Sequence, residues 1–216
     1  MSRWRRRKDI DQPGRGNPPI NSKTMKIETI EVAGLAGALT ALRLPFGKEV
    51  RSEINIKTDP FIAIDNITKE KTNYFAWHGH INIHNKDLAL MTTLVKRGDE
   101  HAKVVRGIMV WAKITAPVYW WSEEETYRMG HERLASESTM HIDCRGLAGS
   151  ELQEAKSAIP MGKELTKVDM FSYQALRKMV AQRHNHRLPE WHEFVDWVRT
   201  LPLAEELIFV GLNLEE

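Results

Sequence analysis

Between Glu100 and His141 the chain gathers side chains that folding alone does not require. An acid–imidazole pair, Glu100-His101, precedes an alternating run. Three aromatics, Tyr119-Trp120-Trp121, lead into the acids Glu123-Glu124-Glu125. Arg128, His131, Arg133, Ser136 and Ser138 follow. Apolar residues build a core, whereas converging imidazole, guanidinium, hydroxyl and carboxylate groups suit a ligand whose charge and edges must be met. Nothing here is a convincing nucleophile. Cys144 lies between Asp143 and Arg145, and an arginine can lower a thiol's pKa, but a lone cysteine without a partnering motif more often has no catalytic role. His78 and His80 would share a strand face, with His84 nearby. No HExxH or carboxylate-spaced helix accompanies them, so they read as solvated or hydrogen-bonded histidines rather than metal ligands. His184-Asn185-His186-Arg187 reads as a polar loop. Neither GxGxxG nor GxxxxGK[ST] occurs, which argues against both a Rossmann dinucleotide site and a P-loop. The phosphates of any bound nucleotide would then fall to Arg128, Arg133, Ser136, Ser138, Arg183, Arg187 and helix ends.

The elements that must position these groups follow from patterning. Lys26 to Val32 alternates around Ile27, Ile30 and Val32 and predicts a strand broken by Gly34. Ala36–Leu44 has helical spacing before Pro45. Ile54, Ile56, Phe61, Ile62 and Ile64 suggest short strands, and Tyr74–His84 a strand and loop. Asp87–Val95 is an amphipathic helix, with Asn85 or Asp87 as cap and Gly98 as stop. Val104 to Thr115 reads as a strand. Pro117 suits the first position of a helix, with Thr115 near its cap, acids in its early turns and Arg128 late. At least two of Tyr119, Trp120 and Trp121 belong to the core. Asp169–Gln182 and Pro189–Thr200 read as helices, with a short third at Leu203–Leu207. Strands and helices without regular βαβ alternation favour an α+β domain with a mixed or antiparallel sheet packed against helices.

Composition sets outer bounds. The 216 residues are 42% hydrophobic and 28% charged, which suits a globular domain. No apolar run is long enough for a membrane span, and a single cysteine excludes an intrachain disulfide framework. A cytoplasmic setting is the simplest expectation. Residues 1–24 carry seven Lys/Arg against Asp9 and Asp11, although the whole chain has a net charge of only +2. With Pro13, Gly14, Gly16, Pro18 and Pro19 and no periodicity, they read as a flexible basic arm capable of weak phosphate contact with nucleic acid, or as an extension without a role. Residues 25–216 then form one α+β domain.

The ordered series Glu100-His101, strand, Ala116-Pro117-Val118-Tyr119, Tyr127-Arg128, Ser138 resembles the core of the flavin-dependent thymidylate synthases. The run YWWSEEETYR with SESTMH is similar to a divergent, phage-type branch. Counting from Ala116 sets Glu123 at the family's Gln and Thr126-Tyr127-Arg128 at its Arg-His-Arg. Ser138-Thr139-Met140-His141 falls at Ser-x-Arg-Tyr with two residues inserted; without the insertion the serine is Ser136. The likeness covers roughly residues 85–200. It implies one-carbon transfer from methylenetetrahydrofolate to C5 of a pyrimidine deoxynucleotide, dUMP, with reduced FAD as reductant and NADPH as its source of electrons. It implies a homotetramer with sites at subunit interfaces, and no metal. Residue by residue, His101, Glu123 and Arg183 take the catalytic positions. His101, Tyr127, Arg128, His131 and Ser136 face the flavin, while Glu123, Ser138, Arg183 and Arg187 face the nucleotide. The departures are specific: Glu stands for Gln, Thr126 and Tyr127 for Arg and His, and Met140 for Arg. Either Arg133, His131 and Arg187 compensate, or the ligand has changed. Two alternatives stay open: the same fold modifying another pyrimidine nucleotide, and a non-catalytic nucleotide-binding, nucleic-acid-binding or structural protein.

Overall fold

Strand β4 (Met109–Pro117) is the spine of the molecule, burying Val110, Ala112, Ile114 and Ala116 on one face. In this computed structural model, residues 25–64 and 71–214 are described, with side chains described at 25–54 and 81–214. The sequence expectations for residues 1–24 and for the side chains of His78 and His80 lie outside these limits. β4 pairs antiparallel with β1 (Lys26–Ala33) on one side and β6 (Glu164–Ser172) on the other, and β5 (His131–Ser136) completes a four-stranded sheet of order β1-β4-β6-β5. The pairing between β5 and β6 is regular to Arg133↔Asp169, skips Leu134, and resumes at Ala135↔Val168. That one-residue bulge leaves Leu134 exposed.

The helices cover the buried face. After α1 (Leu35–Leu42), α2 (Asn85–Lys96) and α3 (Val118–Glu124), a short α4 (Thr139–Ile142) and α5 (Gly149–Ser157) lead into β6. Helices α6 (Tyr173–Arg183) and α7 (Pro189–Arg199) follow. Aromatic rings form the centre: Trp120 meets Trp191 at 4.9 Å between centroids, Phe194 meets Trp197 at 5.2 Å, and Phe171 lies 6.0 Å from Phe194. Trp120 and Trp121 are both core, as the sequence expects, while Tyr119 is partly buried. Gly34 ends β1 with φ +91°, and its backbone is so close to Gly107 that an added Cβ would stand 1.8 Å from the Gly107 carbonyl oxygen.

Several boundaries move. The residues expected as short strands form one long hairpin, β2 (Glu53–Ile64) with β3 (Lys71–Asn82). His84, rather than Asn85 or Asp87, caps α2, its Nδ1 accepting from the Lys86 amide at 3.1 Å. Asp87 instead turns inward, accepting from Arg43 at 2.6 Å, from the Arg51 and Ser52 amides at 2.7 Å each and from the Ser52 hydroxyl at 2.8 Å. The strand expected from Val104 starts only at Met109, because Lys103–Arg106 coil into a 3₁₀ turn before Gly107. Pro117 is the cap of α3 rather than its first residue, and Thr115 remains in β4. The helix stops at Glu124, so Arg128 lies beyond it, before a left-handed Gly130 with φ +76°. Asp169–Ser172 belong to β6 and not to a helix; α6 starts at Tyr173, where the Ser172 hydroxyl accepts from the Ala175 amide. The last element is a π-helical turn, Glu205–Phe209. No helix among the described residues is long and apolar enough to cross a membrane.

Candidate functional site

Because α3 is only two turns long, Glu123 and Tyr127 emerge on one side of its end, opposite the last turn of α6. There Arg183 donates from Nη1 to Glu123 Oε2 at 2.9 Å and from Nε to the Tyr127 hydroxyl at 2.8 Å. The Tyr127 hydroxyl in turn donates a hydrogen bond to Gln182 Oε1 at 2.9 Å. Pro189 opens α7 and sets Trp191 in its first turn, whose indole N–H also reaches Glu123 Oε2 at 2.9 Å. His186 Nε2 is 3.3 Å from the same oxygen. The guanidinium of Arg183 lies 4.8 Å from the Trp191 ring centroid and 5.5 Å from that of Tyr127. A cation is thus held between two aromatic faces and steered by one carboxylate, an arrangement that fixes its direction and keeps it partly open to solvent.

Beside it opens a groove of about 250 Å³ lined by Thr126, Tyr127, Arg128, Met129, Ala175, Lys178 and Gln182. Arg128 is exposed there, and Lys178 is held loosely by Asp99 at 3.5 Å. Two cations, a phenol and a carboxamide around one groove can receive an anionic, hydrogen-bonding ligand.

Behind this surface lies a buried polar cluster. Glu124 on α3, His131 and Arg133 on β5, and Asp169 on β6 meet under Phe171, whose ring stacks on His131 at 4.7 Å with planes 5° apart. Arg133 donates to Glu124 at 2.7 Å, Glu125 at 2.6 Å and Asp169 at 3.1 Å. Burial pushes the Glu124 carboxyl up to about 7; Asp169 adds to the rise, and His131, Arg133 and Lys167 oppose it. For His131, burial disfavours the imidazolium, but contact with Asp169 and Glu124 outweighs it and raises the pKa.

His101 stands elsewhere. It joins Glu100 and Lys103 at the wall of a cavity of about 610 Å³, otherwise lined by small and apolar residues of α1 and its surroundings, among them Gly34, Gly37, Ala38, Ala41 and Phe46. The structure therefore brings together Glu123, Tyr127 and Arg183, with Arg128 alongside, and sets His101 on a separate cavity of the same chain. His131 points inward. Ser136 is exposed and donates to the carbonyl of Glu137 at 2.9 Å. Ser138 is the residue before α4, and Arg187 is exposed in the loop between α6 and α7. Sequence reasoning did not single out Gln182 or Lys178 at the surface, nor the buried Trp191, Glu124 and Asp169 beneath it. Trp191 carried a usable signal, an indole two residues after a helix-starting proline.

No protein-family model matches the chain, and no curated protein matches it in sequence. Solved structures do match in shape. Thymidylate synthase X from Helicobacter pylori with FAD and dUMP superposes with TM-score 0.59 at 11% identity, over 89% of this chain and 100% of that one. A second structure of the flavin-dependent thymidylate synthase from Helicobacter pylori, complexed with FAD and dUMP, gives 0.57 at 10% identity over 87% and 99%. A UMP/dUMP methylase from Streptomyces cacaoi bound with 5-Br dUMP gives 0.55 at 10% identity over 87% and 96%. The antiparallel α+β fold of this chain is the fold of the flavin-dependent thymidylate synthases.

Proposed function

We propose that the protein is a flavin-dependent enzyme that transfers a one-carbon unit to C5 of a pyrimidine deoxynucleotide, with dUMP the first substrate to test. The observation that carries this reading is Arg183, held between Trp191 and Tyr127 and tethered to Glu123 beside a groove bearing Arg128 and Lys178. In this reading Arg183 and Glu123 orient the nucleotide, with Ser138 and Arg187 completing its surroundings from a neighbouring subunit of a homotetramer. Arg128, Tyr127 and Lys178 meet phosphate oxygens. Similar shapes with FAD and dUMP bound in the Helicobacter pylori structures support the same ligand class.

The residues present fit a flavin. The cavity at His101 falls within the volume range of small-molecule sites, and its Gly34, Gly37, Ala38 and Ala41 walls leave room for a planar ring. His101, Lys103 and Glu100 supply polar contacts at its rim, with the exposed Ser136 on β5 a further candidate for cofactor contact, whereas His131 is turned into the buried cluster. When bound, reduced FAD would supply the reducing electrons, with NADPH and methylenetetrahydrofolate as co-substrates. The chain's part is to bind, orient and exclude water. Residues 1–24 remain a proposed basic arm with weak nucleic-acid contact, preceding one α+β domain, and a cytoplasmic setting belongs to the same proposal.

The test is direct. Full-length protein supplied with FAD should retain a yellow chromophore, bind dUMP by calorimetry and turn it over with NADPH and methylenetetrahydrofolate. Preference for dCMP over dUMP would move the substrate to another pyrimidine, in keeping with a carboxylate at residue 123. Binding of nucleotide without turnover would leave a non-catalytic binding protein, and neither flavin nor nucleotide binding would overturn the reading.

A further inference from the structure

The polar cluster behind the site has unfinished chemistry. Glu124, His131 and Asp169 come from three different elements, and each offers a ligand atom within 4.8 Å of those of the other two. The side chains of Glu124 and Asp169 are fully buried and that of His131 is 7% exposed. Arg133 engages the opposite oxygens, Glu124 Oε2 at 2.7 Å and Asp169 Oδ1 at 3.1 Å, and shares Asp169 Oδ2 at 3.3 Å. Glu124 Oε1 and His131 Nε2, however, are buried without a hydrogen-bond partner. They stand 3.0 Å apart, and Nε2 is 3.3 Å from Asp169 Oδ2.

The other ring nitrogen fixes what Nε2 presents. His131 Nδ1 is 2.8 Å from the carbonyl oxygen of Tyr127, a contact that requires the N–H on Nδ1. The neutral ring therefore aims a lone pair at two carboxylates, which repel it unless a positive centre lies among the three atoms. A second ring proton is one such centre, but a proton asks for hydrogen-bond geometry, which these contacts lack. A metal ion asks only for donor atoms arranged around it. A histidine anchored by its far N–H to a backbone carbonyl, and carboxylates oriented through their second oxygens, are the outer-shell pattern of metal centres.

We propose that Glu124, His131 and Asp169 bind one divalent transition-metal ion of the zinc class, with Arg133 as the residue that orients both carboxylates. Imidazole with carboxylates suits Zn²⁺, Mn²⁺ or Fe²⁺, and the absence of a thiolate from the trio disfavours softer ions. The ion would pin β5 and the end of α3 to β6. This site is independent of the nucleotide reading, since it involves neither Glu123 nor Arg183.

The experiment uses full-length protein dialysed against chelator and titrated with Zn²⁺ by calorimetry. One equivalent per chain should bind and raise the thermal midpoint. Glu124→Gln and Asp169→Asn should each weaken binding at least about 10-fold, while a His78→Ala/His80→Ala double variant binds as the parent does. Should a variant fail to fold, the parent chain still decides: on Zn²⁺ addition the His131 Nε2 resonance should shift in ¹⁵N spectra and no other histidine should follow it. No saturable binding, unchanged affinity in a folded Glu124→Gln, or a shift at another histidine instead would overturn the proposal.

Discussion

Arg183 Nη1 and Glu123 Oε2 stand 2.9 Å apart although sixty residues of chain separate them. The pair does two opposed things: the carboxylate aims the guanidinium, and it also offsets the charge a nucleotide phosphate would seek. Replacing Glu123 by Gln keeps an acceptor for the Trp191 indole and removes the competing charge. Glu123→Gln should therefore tighten dUMP binding up to about 10-fold at low salt, and Arg183→Ala should weaken it by about 1.5–3 kcal/mol. Calorimetric titration of both variants reads the two directions in one series.

Arg128 is the cleanest probe of the groove. It is exposed, with no hydrogen bond or ion pair to another described residue. Arg128→Ala should leave stability within about 0.5 kcal/mol of the parent while lowering affinity for dUMP or FAD about 10-fold and flattening its salt dependence. Urea unfolding beside a salt series of titrations checks both halves.

Asp87 links pH to the fold. Burial works against its charge, but hydrogen bonds from Ser52, Arg43 and the Arg51 amide win and hold its carboxyl at about 2. An unfolded aspartate titrates near 3.9. A depressed folded pKa means that the unfolded chain takes up the proton first, so the contribution of Asp87 is full above about pH 4 and is lost as pH falls toward 2. Asp87→Asn should lower the urea midpoint at pH 7 and make it less sensitive to acid between pH 4 and pH 2, which unfolding curves at stepped pH will reveal.

Two glycines on the His101 cavity should respond oppositely. Gly34→Ala drives a methyl into the Gly107 carbonyl at a left-handed backbone position and should cost more than about 2 kcal/mol. Gly37 lies inside α1 with open space around it, so Gly37→Ala should stabilise the helix by up to about 1 kcal/mol. The same methyl narrows the cavity, and flavin uptake measured by absorbance should fall even as the thermal midpoint rises.

The elements legible in the sequence were those with apolar inner faces: β1, α1, α2 and α7 lie close to where periodicity puts them. β5 and β6 were not legible, because their inward positions are His131 and Arg133 on one and Lys167 and Asp169, with Phe171 the one apolar residue, on the other. A buried face made of charges inverts the pattern that identifies a strand, and Asp169 then resembles a helix cap. The polar cluster thus concealed the strands that carry it. At the site, the EH pair and the Tyr-Arg turn were readable as types, and Arg183 as a helix end. The link from Trp191 to Glu123 depends on how α7 folds back, which no local spacing encodes.

The bulge at Leu134 bears on how such chains diverge. Arg133 keeps its place opposite Asp169 because the extra residue is absorbed after it, and Ala135 rejoins the ladder without reversing the sheet face. An insertion at this point costs one exposed side chain rather than a strand's worth of pairing. Distances counted along the sequence from Arg128 to the serines are therefore elastic by a residue, while distances across the sheet are not. Relatives of this protein are better aligned by what faces Asp169 than by how many residues follow Arg128.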